Sequence, residues 1–291
     1  MASTSPGKPS DLHRAVVRRG CMLSAQCSIL NAGGSAMRLG CCAYSYRDLL
    51  KDGPWTLEDF IRTCHELGLD GVELTSYYFP NTDRAYLNDV KRCCASYGLH
   101  VAGTAVGSNF CQAIEAERRA QIDMTKAWID HSVVLGAPCI RVFAGPIPEG
   151  YTEEQAADWA VAAMRECAEY GGERGVLVAM ENHGGVTATA AQVVRLVQAV
   201  DHPWFGVNLD FGNFRDPRSE FAPVAPYAVT THAKVTHRDA EGNAKLVDYV
   251  LARRVMEQVG YQGYISIEFE EPEDPREGVP AFVAELKRVF R

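Results

Sequence analysis

From Met37 onward, short runs rich in β-formers alternate with longer stretches whose apolar residues recur at helical spacing. The β-type runs fall near 38–43, 70–74, 99–104, 139–143, 176–181, 205–210, 228–232 and 264–268. Amphipathic segments at 56–67, 83–97, 115–135, 153–174, 189–200 and 247–259 separate most of them. In the first of these, Thr56 can cap the helix with Asp59 at its third position. Gly68, Gly98, Gly136 and Gly260 each follow a helical stretch, where glycine supplies the left-handed turn that stops it. The connection at 211–228 reads as short and weakly helical. Eight alternations without a long linker predict an α/β fold of one domain, a (β/α)8 TIM barrel over 37–291. Such barrels typically need about 250 residues, and this span suits one.

Residues 1–36 break the pattern. They are rich in Ser, Gly and Ala, without sustained periodicity, and are expected to form a disordered extension. Arg18-Arg19 and the short, interrupted apolar stretch after them offer an export signal as the weaker alternative to a cytoplasmic protein. No strand falls here, so the barrel is expected to survive deletion of 1–36.

Strand parity then says where polar side chains point. In 176–181, Val176, Val178 and Met180 share one face, and Glu181 lies on the other with Leu177 and Ala179. In 205–210, Asn208 and Asp210 oppose Phe205, Val207 and Leu209. Thr230 pairs with His232, and Ser266 with Glu268 and Glu270. Glu73 and Arg141 follow the same rule. Glu181, Asp210, His232 and Glu268 are therefore expected to project inward at the C-terminal strand ends, the rim where barrel enzymes place their chemistry. Three carboxylates converging there would repel one another unless a divalent cation sat among them. Their donor set with one imidazole suits Mn²⁺ first, with Mg²⁺, Co²⁺ or Zn²⁺ as alternatives.

Composition narrows the function. The chain has 291 residues, 47% hydrophobic and 23% charged, with 29 basic against 37 acidic residues and a net charge of −8. That balance disfavours nucleic acid as a partner, and no apolar run is long enough for a membrane span. Ten cysteines include the adjacent pairs Cys41-Cys42 and Cys93-Cys94 but no Cys-x-x-Cys. They read as small buried hydrophobes of a reducing compartment.

Four motifs are Met180-Glu181-Asn182-His183-Gly184-Gly185, Val207-Asn208-Leu209-Asp210-Phe211-Gly212-Asn213-Phe214, His232-Ala233-Lys234 and Gly260-Tyr261-Gln262-Gly263-Tyr264-Ile265-Ser266-Ile267-Glu268. With Arg141-Val142-Phe143-Ala144-Gly145, they resemble the sugar phosphate isomerase/epimerase superfamily, the xylose isomerase-like TIM barrels. In its metal-ligand set the chain is similar to the ketose 3-epimerases. The resemblance implies that Glu181, Asp210, His232 and Glu268 hold a divalent metal and that Glu181 and Glu268 exchange protons with substrate. It also implies that Arg238, six residues after His232, stabilises charge near the reacting oxygens. Two positions depart from the epimerases. Asn213 stands where they usually carry His, and Thr187 where they carry Glu, so the chain departs from a free-ketose 3-epimerase at two substrate contacts.

The expected activity is that of a carbohydrate isomerase or epimerase. Proton abstraction next to a carbonyl would proceed through a metal-stabilised enediolate. The same site could serve as a dehydratase or lyase on a keto-sugar, an inosose or a 3-keto-glycoside. An endonuclease IV-like nuclease would need more histidines at strand ends and a basic groove, and a non-catalytic sugar-binding barrel would not need both glutamates. Substrate contacts are expected from Arg238, His183, Lys234, Asn213, Arg141 and Glu73. Four of these have a plainer reading: a loop position for His183, a rim salt bridge for Lys234, and pairing of Glu73 with Arg141. His237 stands beside Arg238 with a weaker claim. Tyr44, Tyr77 and Phe110 follow the first three strands and could wall a sugar ring or simply pack. No glycine-rich phosphate cradle occurs, which favours an unphosphorylated small carbohydrate. The resemblance leaves room for a homo-oligomer.

Overall fold

Helix starts are written in side chains. Thr56 accepts the Asp59 amide while Asp59 accepts the Thr56 amide, a reciprocal box that opens α1 (Leu57–Glu66). Thr152 with Gln155 does the same for α4 (Glu153–Gly172), and Thr189 with Gln192 for α5 (Ala190–Val200). The other helices of eight or more residues are α2 (Arg84–Ser96), α3 (Glu115–Leu135), α6 (Pro217–Val224), α7 (Tyr249–Gln258) and α8 (Pro275–Phe290). The computed structural model describes residues 37–291. The expectations of a disordered extension or an export signal lie outside them.

Eight strands alternate with these helices: β1 (Arg38–Cys42), β2 (Gly71–Thr75), β3 (His100–Ala105), β4 (Cys139–Val142), β5 (Leu177–Glu181), β6 (Phe205–Asp210), β7 (Ala228–Ala233) and β8 (Tyr264–Ile267). Each pairs in parallel with its neighbours, and β1 closes the ring by pairing with both β2 and β8. The fold is the expected TIM barrel. Outward-facing strand residues such as Leu39, Ile140, Val178, Val207 and Ile265 are fully buried, in one core with Phe60, Ile61, Met164, Leu196 and Leu286 from the helices. Burying each such side chain contributes roughly 1.5–3 kcal/mol.

Inside the ring, register stacks the polar residues. Cys42 lies opposite Glu73, Glu181 opposite Asn208, and Asp210 opposite His232, which in turn faces Ser266. Irregularities at Val72/Glu73 and Val207/Asn208 shift the pairing where the polar rim begins.

Three elements go beyond the sequence reading. α8 forms where the pattern predicts no helix, since Pro280 inside it interrupts the apolar periodicity. The weakly helical 211–228 connection contains α6, two turns opened by Pro217. A short antiparallel ribbon, Thr236–Arg238 with Ala244–Leu246, follows β7. The described cysteines, Cys41, Cys42, Cys64, Cys93, Cys94, Cys111, Cys139 and Cys167, are all free, and only Cys93 among them is not buried. Among the described residues no helix is long and apolar enough to cross a membrane.

Because the closed ring and its rim fall within Met37–Arg291, removing residues 1–36 is expected to leave the melting temperature and the metal affinity unchanged. Calorimetry and metal titration of the shortened chain check this, and a loss of either would assign the segment a role.

Candidate metal centre

Glu181, the last residue of β5, is held by donors from two strands and a loop. Its Oε2 accepts from Asn208 Nδ2 at 3.0 Å and its Oε1 from Asn213 Nδ2 at 3.2 Å. Arg141 Nε of β4 stands 3.3 Å from the same Oε2. Arg141 is 2% exposed; its guanidinium lies 4.0 Å over the Phe143 ring and donates to the Val106 carbonyl. Burial alone would raise the Glu181 pKa, but Arg141 and His232 outweigh it and bring it below the ordinary carboxylate value.

Asp210 is fixed through its backbone. Asn182 accepts from the Asp210 amide at 2.8 Å and donates to its carbonyl at 2.9 Å, clasping the ends of β5 and β6 together. Oδ1 of Asp210 accepts from the Gly212 amide, while Oδ2 is buried without a hydrogen bond. Gly212 has no room for a side chain: a Cβ there would lie 2.6 Å from Lys234 Cβ and 2.8 Å from the Thr236 carbonyl.

His232 completes the cluster with Glu268, which lies just past β8 and still bonds the Ala233 carbonyl through its amide. His232 Nδ1 is 3.3 Å from Glu181 Oε2 and 3.3 Å from Glu268 Oε2, yet it makes no aligned hydrogen bond. Ligand atoms of Glu181, Asp210, His232 and Glu268 lie within 4.8 Å of one another, all buried. Donors held about 2.1 Å from one ion stand about 3.0 Å apart in octahedral and about 3.4 Å apart in tetrahedral geometry. The two 3.3 Å spacings at His232 Nδ1 fall in that range, and two buried atoms of the cluster, His232 Nδ1 and Asp210 Oδ2, have no hydrogen bond. The donor set fits a hard or borderline divalent cation.

Lys234 borders this set. Its Nζ is 3.2 Å from Asp210 Oδ2, 3.3 Å from Glu268 Oε2 and 2.9 Å from Glu270 Oε2, and it donates to Asn213 Oδ1. Burial opposes its charge, but these carboxylates more than compensate and hold its pKa well above the usual lysine value. The same balance lowers Glu268 strongly: burial works against ionisation, and His232 and Lys234 overcome it. Asp210 goes the other way, pushed by burial up to about 7 despite Lys234.

That shift has a consequence for metal uptake. Asp210 must lose its proton to serve as a ligand, so the affinity for a divalent cation is expected to rise as pH increases through about 7. Titrations at pH 6 and 8 check it, and equal affinities would count against Asp210 as a ligand.

The remaining sequence candidates divide. Asn213 and Arg141 touch Glu181 directly. Glu73 does not pair with Arg141; both its oxygens approach His232 Nε2, at 2.9 and 3.0 Å. His183 is exposed in the loop after β5, with its ring 4.3 Å from that of Phe143. Thr187 is spent on that loop, its hydroxyl accepting from the His183 amide and donating to the Gly184 carbonyl. Arg238 and His237 sit on the ribbon after β7. Arg238 is exposed, with Nη1 3.5 Å from the Gly242 carbonyl, and makes no hydrogen bond or ion pair with the four clustered residues. Phe110 is wholly buried in the core, Tyr44 half-buried and Tyr77 48% exposed. Strand parity points Asn208 inward but gives neither it nor Asn182 a role. Their signal was an amide immediately beside, or in register with, an inward carboxylate.

The family profile described as xylose isomerase-like TIM barrel matches residues 61–287. The solved structures that resemble the chain include a D-psicose 3-epimerase from Clostridium cellulolyticum H10, at 19% identity, covering 88% of this chain and 90% of that one, with a TM-score of 0.69. A xylose isomerase-like TIM barrel protein from Mycobacterium smegmatis, solved in complex with magnesium, matches at 19% identity, 87% and 96% coverage, and a TM-score of 0.70. A probable 3-DHS dehydratase from Bacillus anthracis matches at 16% identity, 87% and 98% coverage, and a TM-score of 0.64. No curated protein matches significantly.

Proposed function

The chain belongs to the xylose isomerase-like TIM barrel family, and from that premise we propose that it is a divalent-metal-dependent isomerase or epimerase of small carbohydrates. The observation that carries the reading is the approach of Glu181 and Glu268 to the same atom, His232 Nδ1, each at 3.3 Å. Glu181, Asp210, His232 and Glu268 would hold the cation, with Mn²⁺ as our first choice. When bound, a divalent cation supplies Lewis acidity, which polarises a carbonyl and acidifies the adjacent C–H.

The protein's own groups do the rest. Glu181 and Glu268 are both held ionised near neutral pH, so either can accept a proton from a carbon between them. Lys234, fixed as a cation by three carboxylates, lies where negative charge on substrate oxygens would develop. Arg141 Nε, buried and without a hydrogen bond, offers a second donor. If the glutamate opposite the base returns a proton to the other face, the outcome is epimerisation. Return to the neighbouring carbon gives aldose–ketose isomerisation.

A dehydratase shares the first step and differs only if a β-hydroxyl departs. The dehydratase among the structural relatives keeps that reading in the test. The protein, loaded with Mg²⁺, is incubated in D₂O with ketoses, inososes and 3-keto-glycosides and followed by NMR. Deuterium next to a carbonyl with the carbon skeleton and oxygens retained supports the proposal. Loss of water to an unsaturated ketone replaces it with the lyase. No exchange with any member of the panel, at saturating metal, overturns both.

A further inference from the structure

Glu73 is a buried carboxylate that the proton-transfer scheme above does not use. It lies on β2, is 2% exposed, and among the described residues no arginine or lysine pairs with it. Its inward neighbour on β1, Cys42, is a fully buried thiol that burial, and then Glu73 itself, keeps protonated. Both Glu73 oxygens instead converge on one atom, His232 Nε2, at 2.9 and 3.0 Å. Leaving a carboxylate in a barrel interior with an imidazole as its partner is costly unless the pair has a task.

We infer that Glu73 is a positioning residue for the metal centre: it fixes the proton of His232 on Nε2 and thereby aims the Nδ1 lone pair at the point shared by Glu181, Asp210 and Glu268. The inference rests on the metal-dependent reading above. An imidazole has one lone pair to offer and two nitrogens that could offer it. A carboxylate chelating the Nε2–H settles the choice, orients the ring, and makes Nδ1 a stronger donor. On the opposite side of the ring Nδ1 is buried 3.3 Å from Glu181 and from Glu268 without an aligned hydrogen bond, the face at which a cation would take the place of a proton. The pairing also crosses the barrel. β2 and β7 are separated by β1 and β8 in the ring, so Glu73 braces the histidine from the far wall.

The test reads metal and imidazole directly. Glu73→Gln keeps an acceptor for Nε2–H but removes the charge; Glu73→Leu removes both. Titrating each protein with Co²⁺ against a chelating indicator is expected to show affinity weakened about 10-fold for the first and about 100-fold for the second. The visible Co²⁺ spectrum should shift only slightly for Glu73→Gln. Should Glu73→Leu fail to fold, the Gln variant and the unmutated protein still decide. With ¹⁵N-labelled histidine and Zn²⁺ bound, long-range ¹H–¹⁵N spectra should place the His232 proton on Nε2 and the metal on Nδ1. The inference is overturned by wild-type affinity and spectrum in Glu73→Gln, or by a proton found on Nδ1. If the unmutated protein binds no Co²⁺, the metal-dependent function fails first and carries this inference with it.

Discussion

Glu181→Gln and Glu268→Gln are each expected to lower turnover by about 10³-fold or more, the scale at which a positioned general base contributes. Both residues also belong to the candidate ligand set, so lost metal must be separated from lost chemistry. Measuring the rate at saturating Mn²⁺ and the metal affinity independently does this. A variant whose rate returns once metal is saturating has lost a ligand, whereas one that stays slow has lost a base. The two-base scheme makes a sharper demand. With one glutamate neutralised, the other still faces its side of the substrate, so one epimer should exchange its proton with D₂O without being converted into the other. Conversion and exchange surviving together in both variants would end the proposal.

Which residues could be read from the sequence follows from what a strand's period encodes. Parity requires only that β5, β6, β7 and β8 be strands, and it brought Glu181, Asp210 and His232 to the rim. It extended to Glu268 because the chain stays in register one residue past β8, where the Glu268 amide bonds Ala233. Parity is silent about distance across a ring. Glu73 was read as facing inward, but its partner His232 stands three positions away around the barrel. Only ring diameter and side-chain rotamer decide that meeting. Asn182 was hidden for the opposite reason: next to Glu181, it has outward parity, and its work is done on the Asp210 backbone. Where Arg238 stands depends on how the chain runs after β7. Six residues after His232 means one place on a loop and another on a ribbon, and the ribbon of Thr236–Arg238 with Ala244–Leu246 left it exposed.

Arg141→Met is expected to destabilise the protein by about 3–5 kcal/mol at pH 7, the range for breaking one side of a buried ion pair. Methionine fills most of the arginine's volume, so packing against Phe143 is largely kept and the charge is what goes. Glu181 would then keep two amide donors, Asn208 and Asn213, against full burial, and the Val106 carbonyl would lose its Arg141 donor. The pH dependence identifies the cause. In the native protein Glu181 is held below its ordinary value, so its pairing contributes stability above the unfolded carboxylate pKa and loses it as pH falls through the lower folded value. The deficit of Arg141→Met should therefore be largest at neutral pH and shrink toward acid, as Glu181 protonates in both states. A divalent cation beside Glu181 would stand in for the missing guanidinium, so saturating Mn²⁺ should recover part of the loss at pH 7. Denaturant titrations at pH 4 and 7, with and without metal, make the comparison. A deficit equal at both pH values and indifferent to metal would place Arg141 in the packing of the barrel instead of its electrostatics.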